Sequence, residues 1–383
     1  MMFFRTRLAR CGISLVAICF AFSLVASRAA SSPQFVPGQI WRDTDGHPIN
    51  AHGGGVLFYN GVYYWYGEAK TGHTFLPDCN KSWGGTRVDV TGVSCYSSTN
   101  LYDWKNEGLA LRAVTNPPGH DLNPSKVLER PKVIYNRATK EFVMWMHIDS
   151  MDYAAARVGV AVSSTPTGPF HYLESFRPDA GVWPRNVTDE DKKPSPTNAL
   201  VRDFKVGQMA RDMTVFVDDD GKAYLFYASE DNATMHVSLL TPDYHHTTGE
   251  YARIFIGRST EAPAVFKRDG KYYFVGSGCT AWAPNAARMA VADSVFGPWH
   301  ELPNPCVGTG ADKTFLSQSA FVLPIQGRDN SFVFLADRWN QWDLPASRYV
   351  WLPLKFSSDG KPTVRWQDSW QLPQAEQTLH AER

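Results

Sequence analysis

Residues 211–229, RDMTVFVDDDGKAYLFYAS, decide how the rest of the chain is read. A polar pair opens the stretch, an apolar strand pattern follows, Asp220-Gly221 turns the chain, and an aromatic strand returns. Asp-Gly supplies the positive φ that a two-residue hairpin needs, so the stretch predicts two paired strands. The same order recurs on either side. It appears as AHGGGVLFYNGVYYWYGE from Ala51 and ERPKVIYNRATKEFVMWMHID from Glu129. It appears again as EAPAVFKRDGKYYFVGSG from Glu261 and QSAFVLPIQGRDNSFVFLADRW from Gln318. Asn60-Gly61 and Asp269-Gly270 repeat the turn chemistry, and the second unit has a longer turn around Asn136 to Lys140.

A second hairpin pattern follows each unit: GVSCYSSTNLYDWKNEG, RVGVAVSSTPTGPFHYLES, MHVSLLTPDYHHTTGEYARIF, RMAVADSVFGPWHELPN and YVWLPLKFSSDGKPTVRWQDSW. Two hairpins make a four-stranded antiparallel sheet. Repeated five times around a central channel, such sheets give an all-β, five-bladed β-propeller. Helical periodicity is nearly absent. Only residues 176–205, rich in proline and charge, break the rhythm, and they read as a long surface loop between blades two and three.

At the N-terminus, Arg5, Arg7 and Arg10 precede an apolar run from Ile13 to Val25, with small residues after it. That order predicts a signal peptide over 1–30, leaving a single propeller domain over 31–383, secreted or periplasmic. Removing 1–30 leaves 34 basic against 38 acidic residues, with no basic patch, so nucleic acid is not an expected partner. No other segment is apolar enough to span a membrane, and a monomer is expected. Four cysteines then remain, and the local pairs Cys79–Cys95 and Cys279–Cys306 are compatible with an oxidising compartment, with free buried thiols as the alternative. Asn186-Val-Thr and Asn232-Ala-Thr are glycosylation sequons.

In a propeller the first residues of the innermost strands face one mouth of the channel. Here those residues are His52, Glu129, Asp212, Glu261 and Gln318. Carboxyl groups converging from separate blades suit glycosidic cleavage, which needs one group to protonate the leaving oxygen and another to direct water.

The units resemble glycoside hydrolase family 43, and more closely its exo-β-1,3-galactanase branch. YYWYGEAKTG, VDVTGVSCYSSTNLYDWKNEGLAL, LERPKVIYN, RDMTVFVDDDGKAYLFYAS, TEAPAVFKRDGKYYFVGSG and LSQSAFV carry the resemblance, in order, over about residues 38–370. It implies a polysaccharide or oligosaccharide as substrate, and an inverting exo-hydrolase that releases galactose from β-1,3-galactan, the arabinogalactan backbone. The alternatives are another activity of the family (arabinofuranosidase, xylosidase or other galactosidase) and a catalytically silent sugar-binding propeller.

The resemblance also assigns roles. Glu261 matches the general acid. Glu129 matches the carboxylate that tunes the acid's pKa, with the base as a rival role and a salt bridge to Arg130 or Lys132 as the structural alternative. Most of the family begins blade one with an Asp that serves as base, but this chain has Ala51-His52-Gly53-Gly54-Gly55 there. Gln318 matches a residue implicated in holding the water, and an amide is so weak a base that orientation is its expected contribution. Glu68, Tyr153, Asp212, Trp282 and Trp339 are expected to bind sugar. Trp342 is a further aromatic near the last blades, and His52 reads as structural. Some family members hold a metal ion in the channel. Gln318 stands where many of those place a ligating His, so neither a metal nor another cofactor is expected.

Overall fold

The computed structural model describes residues 32–76, 86–358 and 360–373. The chain divides into Met1–Pro33 and Gln34–Arg383, and the predicted signal segment and Cys79 lie outside the described residues. No helix among the described residues is long and apolar enough to cross a membrane.

Five blade sheets form, each opening with one of the predicted units, together with a small two-stranded sheet of Thr74–Phe75 and Arg87–Val88. Blade one contains His52–Tyr59, Val62–Glu68, Gly92–Ser98 and Lys105–Arg112. Blade two contains Val127–Asn136, Glu141–Asp149, Arg157–Ser163 and His171–Phe176. Blade three contains Met213–Val217, Ala223–Ser229, Thr234–Leu240 and Thr247–Ile254. Blade four contains Thr260–Arg268, Lys271–Gly278, Arg288–Ala292 and His300–Leu302. Blade five contains Gln318–Pro324, Phe332–Arg338, Arg348–Phe356 and Pro362–Arg365, and gains a fifth strand, Cys306–Val307, that pairs in parallel with Pro362–Arg365. The protein is a five-bladed propeller.

Two of the predicted tight turns have the expected backbone. Asn60 and Gly61 have φ of 49° and 83°, and Asp269 and Gly270 have 50° and 74°. The turn that opened the argument differs. Only Gly221 is left-handed there, and Asp218 N–H bonds the Lys222 carbonyl at 2.8 Å. The loop therefore spans Asp218–Lys222, with the single left-handed residue that a longer hairpin loop requires.

The core lies between blades. Leu111 and Val93 of blade one pack with Phe142 and Met144 of blade two, and Trp145 and Val160 of blade two pack with Leu225 and Tyr227 of blade three. Blades three and four meet through Phe226, Val237 and Phe274. An aromatic cluster containing Trp65, Trp104, Phe266, Phe334 and Trp351 joins blades four, five and one. There the ends of the described chain meet, with Phe35 and Trp370 exchanging backbone hydrogen bonds of 2.8 and 3.0 Å and stacking at 4.3 Å.

The insert between blades two and three is anchored rather than loose. It carries a short helix, Ala199–Asp203, and its buried Asp179 accepts hydrogen bonds from Tyr227 and Ser238 of blade three. The expected Cys279–Cys306 pair does not form, because Cys279 ends blade four's second strand at the channel mouth whereas Cys306 lies on the added strand of blade five. Both are free thiols, and so is Cys95, which is buried.

Candidate active site

Four of the five inner strands contain a register shift just after their first polar residue: His52/Gly55, Glu129/Lys132, Glu261/Ala264 and Ser319/Phe321. A bulge bends its strand and re-aims the side chain beside it. In three of the strands the residue after the polar one is left-handed: Gly53 at φ 58°, Arg130 at 55° and Ala262 at 54°. Each turned-out N–H donates to a carboxylate of the preceding blade. Gly53 donates to Asp337 at 3.0 Å, Arg130 to Glu68 at 2.9 Å and Ala262 to Asp212 at 2.9 Å. The backbone irregularity that turns the site residues toward the mouth thus also ties neighbouring blades together.

The resulting pocket has a volume of about 370 Å³. Glu68, Glu129, Tyr153, Asp212, Glu261, Trp282, Gln318 and Trp339, all named from sequence, line it. His52 does not. It is fully buried, bonded to Asp337 at 2.9 Å and stacked on Tyr349 at 4.8 Å. Trp342 does not line the pocket either and is 66% exposed.

Glu261 shares one wall with Asp212, Asn232 and Cys279. Burial, followed by the nearby Asp212 carboxylate, pushes its pKa up to about 7 despite the opposing Arg130 charge. Asn232 Nδ2 lies 3.3 Å from its Oε1. Glu129 is tuned the other way. Burial alone would raise it, but His147, Lys70 and Tyr153 outweigh that and hold it at about 2. Tyr153 donates to its Oε1 at 2.8 Å, and His147 Nδ1 stands 3.3 Å from its Oε2. The salt bridge to Arg130 or Lys132 considered from sequence is not made. Arg130 pairs with Asp212 at 2.8 Å, and buried Lys132 bonds the Gly53 carbonyl at 2.8 Å.

The missing blade-one carboxylate has a spatial substitute. Glu68, on the second strand of that blade, reaches the space beside Gly53, where a Cβ would sit 2.2 Å from Glu68 Oε1. Glu68 is buried and ion-paired with Lys70 at 2.6 Å. Gln318 is held on three sides. Its Oε1 accepts from Arg130 at 2.7 Å and Trp339 Nε1 at 3.0 Å, and its Nε2 lies 3.0 Å from Ser277 Oγ. Trp282 is fixed by Nε1 donating to the Thr86 carbonyl at 3.0 Å, and its ring meets Trp339 edge-on at 5.3 Å.

Among the described residues, Glu129, His147 and Asp212 are the group whose atoms could surround a metal ion. In the structure His147 Nδ1 faces Glu129 at 3.3 Å, His147 Nε2 lies 2.9 Å from Asp149, and Asp212 is paired with Arg130 at 2.8 Å. Burial alone would lower the His147 pKa, but its two carboxylate neighbours, Asp149 and Glu129, outweigh that and raise it to about 9.

Sequence reasoning missed Arg130, His147, Asn232 and Asp337 as site residues. Arg130 was visible only as a neighbour of Glu129, and Asn232 only as a sequon. His147 and Asp337 sit inside strand patterns, where alternation alone does not separate a pocket residue from a buried one.

Residues 59–362 match the family glycosyl hydrolases family 43. The fold is similar to that of a β-1,3-galactosidase of this family solved with galactodeoxynojirimycin, at TM-score 0.81 and 45% identity, over 88% of this chain and 100% of that one. It is also similar to an exo-β-1,3-galactanase from Phanerochaete chrysosporium solved with β-1,3-galactotriose, at TM-score 0.74 and 34% identity, over 89% of this chain and 69% of that one. A β-D-galactofuranosidase from Aspergillus niger is 30% identical over 254 residues, 64% of this chain and 66% of that protein, so the chain spans just under two thirds of this relative. With its bladed repeat, its acidic mouth and a family match over most of its length, the chain belongs to glycosyl hydrolases family 43.

Proposed function

We propose that this glycoside hydrolase is an inverting exo-enzyme that releases galactose from β-1,3-galactan, working outside the cytoplasm after loss of residues 1–30. The observation that carries the reading is the opposed tuning of two glutamates in one pocket, Glu261 near 7 and Glu129 near 2. A general acid must hold its proton until the leaving oxygen takes it, and its neighbour must stay charged to keep it protonated. Similarity to a β-1,3-galactosidase and to an exo-β-1,3-galactanase supports the sugar and the linkage.

In this reading Glu261 protonates the glycosidic oxygen. Glu129, Glu68, Tyr153 and Asp212 hold sugar hydroxyls, and the Trp282 and Trp339 faces receive the apolar side of galactose. Gln318 directs water at the anomeric carbon. Its oxygen already accepts two hydrogen bonds and so has no room for the proton of an imidic tautomer. The free N–H of its amide orients the water. The transition state resembles an oxocarbenium ion, so water loses its proton late, to solvent at the pocket mouth, and Glu261, left as a carboxylate, is reprotonated from solvent; orientation then matters more than basicity. A silent lectin-like propeller would have no need for a carboxyl group poised near neutrality.

The galactofuranosidase relative favours one rival, cleavage of a furanoside. Incubation with β-1,3-galactan and with nitrophenyl galactofuranoside, arabinofuranoside and xyloside separates the two. Galactose from the first substrate alone, appearing as the α-anomer by NMR, supports the proposal. Turnover of a furanoside alone overturns it.

A further inference from the structure

Glu230, Asp231 and Asn232 connect the second and third strands of blade three, and all three are left-handed, with φ of 50°, 57° and 65°. Single left-handed Asn or Asp residues are common in turns. Three such residues in succession, one of them a glutamate, are costly at about 1 kcal/mol each and need outside support.

That support comes from blade three's own third and fourth strands and from the insert between blades two and three. Arg253 grips Glu230 with Nε at 2.7 Å and Nη2 at 2.8 Å, and its Nη1 bonds Asp191 of the insert at 2.7 Å. His236 Nε2 lies 2.9 Å from the same Glu230. Arg202, on the short helix of the insert, donates to Asp231 at 2.8 and 3.1 Å. The Arg253–Glu230 side chains are 7% and 10% exposed, against 48% and 57% for Arg202–Asp231, so the first pair carries most of the restraint. At the end of the turn stands Asn232, whose amide reaches Glu261 Oε1 at 3.3 Å. That contact makes Oε1 an acceptor.

We propose that blade three's Arg253, anchored to Asp191 of the insert, and the insert's own Arg202 form a brace for the acid: through Arg253–Glu230 and Arg202–Asp231 they hold the strained turn that keeps Asn232 on Glu261. Arg253, Glu230 and Arg202 are then positioning residues for a carboxyl group that they do not themselves bond. The proposal rests on Glu261 being the general acid.

The test exploits leaving groups. Arg253→Met lowers kcat on β-1,3-galactobiose about 10- to 100-fold with KM nearly unchanged, while dinitrophenyl β-galactoside, which leaves without protonation, loses less than about 3-fold. Arg253→Lys recovers part of the loss. Arg202→Gln, on the exposed pair, gives the same selective loss at about 2- to 5-fold and guards against misfolding of the first variant. Equal losses on both substrates would mark a purely structural role and overturn the brace.

A turnover-free readout separates this proposal from the acid assignment. Galactodeoxynojirimycin affinity is measured against pH, with Glu261→Gln identifying the Glu261 step. Withdrawing the Asn232 donor disfavours the carboxylate, so the step moves up by about half a pH unit or more in Arg253→Met. Asp212, Arg130, Glu129 and Cys279 also face Glu261, and the substitution leaves them in place. An unmoved step overturns the brace. Undiminished hydrolysis by Glu261→Gln would overturn the acid assignment, while the inhibitor titration still decides whether the turn positions Glu261.

Discussion

At the scale of single residues, Glu261 and Glu129 show how one side-chain type serves opposite ends. Both head an inner strand and both are withdrawn from water. Glu261 has Asp212 as its neighbour, whereas Glu129 receives Tyr153, His147 and Lys70. With Glu261 as the proposed acid, activity should follow its proton. The kcat/KM profile, measured against pH, should hold below pH 7 and fall above it, and Glu261→Gln should abolish turnover. Stability follows the same proton. The folded pKa lies above that of the unfolded chain, so the folded state gains from protonation at low pH and loses that gain as pH rises through 7. Glu261→Gln should therefore raise stability by about 1–3 kcal/mol at pH 8 and hardly change it at pH 4, as urea titrations at the two pH values will show. Gln318→Ala should lower kcat at least 100-fold while galactodeoxynojirimycin binding, measured calorimetrically, weakens less than 10-fold.

At the scale of elements, the bulges at the blade starts divide what the sequence reveals from what it hides. Polar-then-apolar openings and Asn-Gly or Asp-Gly turns are sequence-pattern signals, and they disclosed the blades and Glu129, Asp212, Glu261 and Gln318 of the pocket wall, while the family resemblance supplied Glu68, Tyr153, Trp282 and Trp339. The left-handed position behind each opening is not such a signal. Gly53 advertises it, but Arg130 and Ala262 adopt the same backbone without a glycine. No residue type at those positions foretells a bulge, so the carboxylates that bond the turned-out N–H groups could not be paired with their partners. Hence Asp337 was hidden in a strand, and the bond from the Arg130 N–H to Glu68 could not be foreseen. Gly53→Ala tests this geometry. The added methyl collides with Glu68 and meets an unfavourable φ, so the variant should lose about 1–3 kcal/mol in thermal unfolding and at least 10-fold in kcat/KM.

At the scale of the whole molecule, stability depends on closing the circle, because the hydrophobic clusters lie between neighbouring sheets. Trp370 stacks on Phe35 and donates Nε1 to the Trp351 carbonyl at 2.8 Å. Trp370→Ala should cost about 3–5 kcal/mol, read by denaturant titration, even though Trp370 is remote from the pocket lining. The inter-blade N–H-to-carboxylate bonds have a further consequence. Glu68 and Asp212 belong to the pocket and to the seams at once, so amide replacements there cannot be read as chemistry alone. Their combined effects should depart from additivity wherever both variants touch Arg130, which donates to Glu68 through its backbone and to Asp212 through its guanidinium. A lineage seeking a new sugar specificity in this mouth would therefore find its acidic positions locked together and its outer loops the freer ground for change.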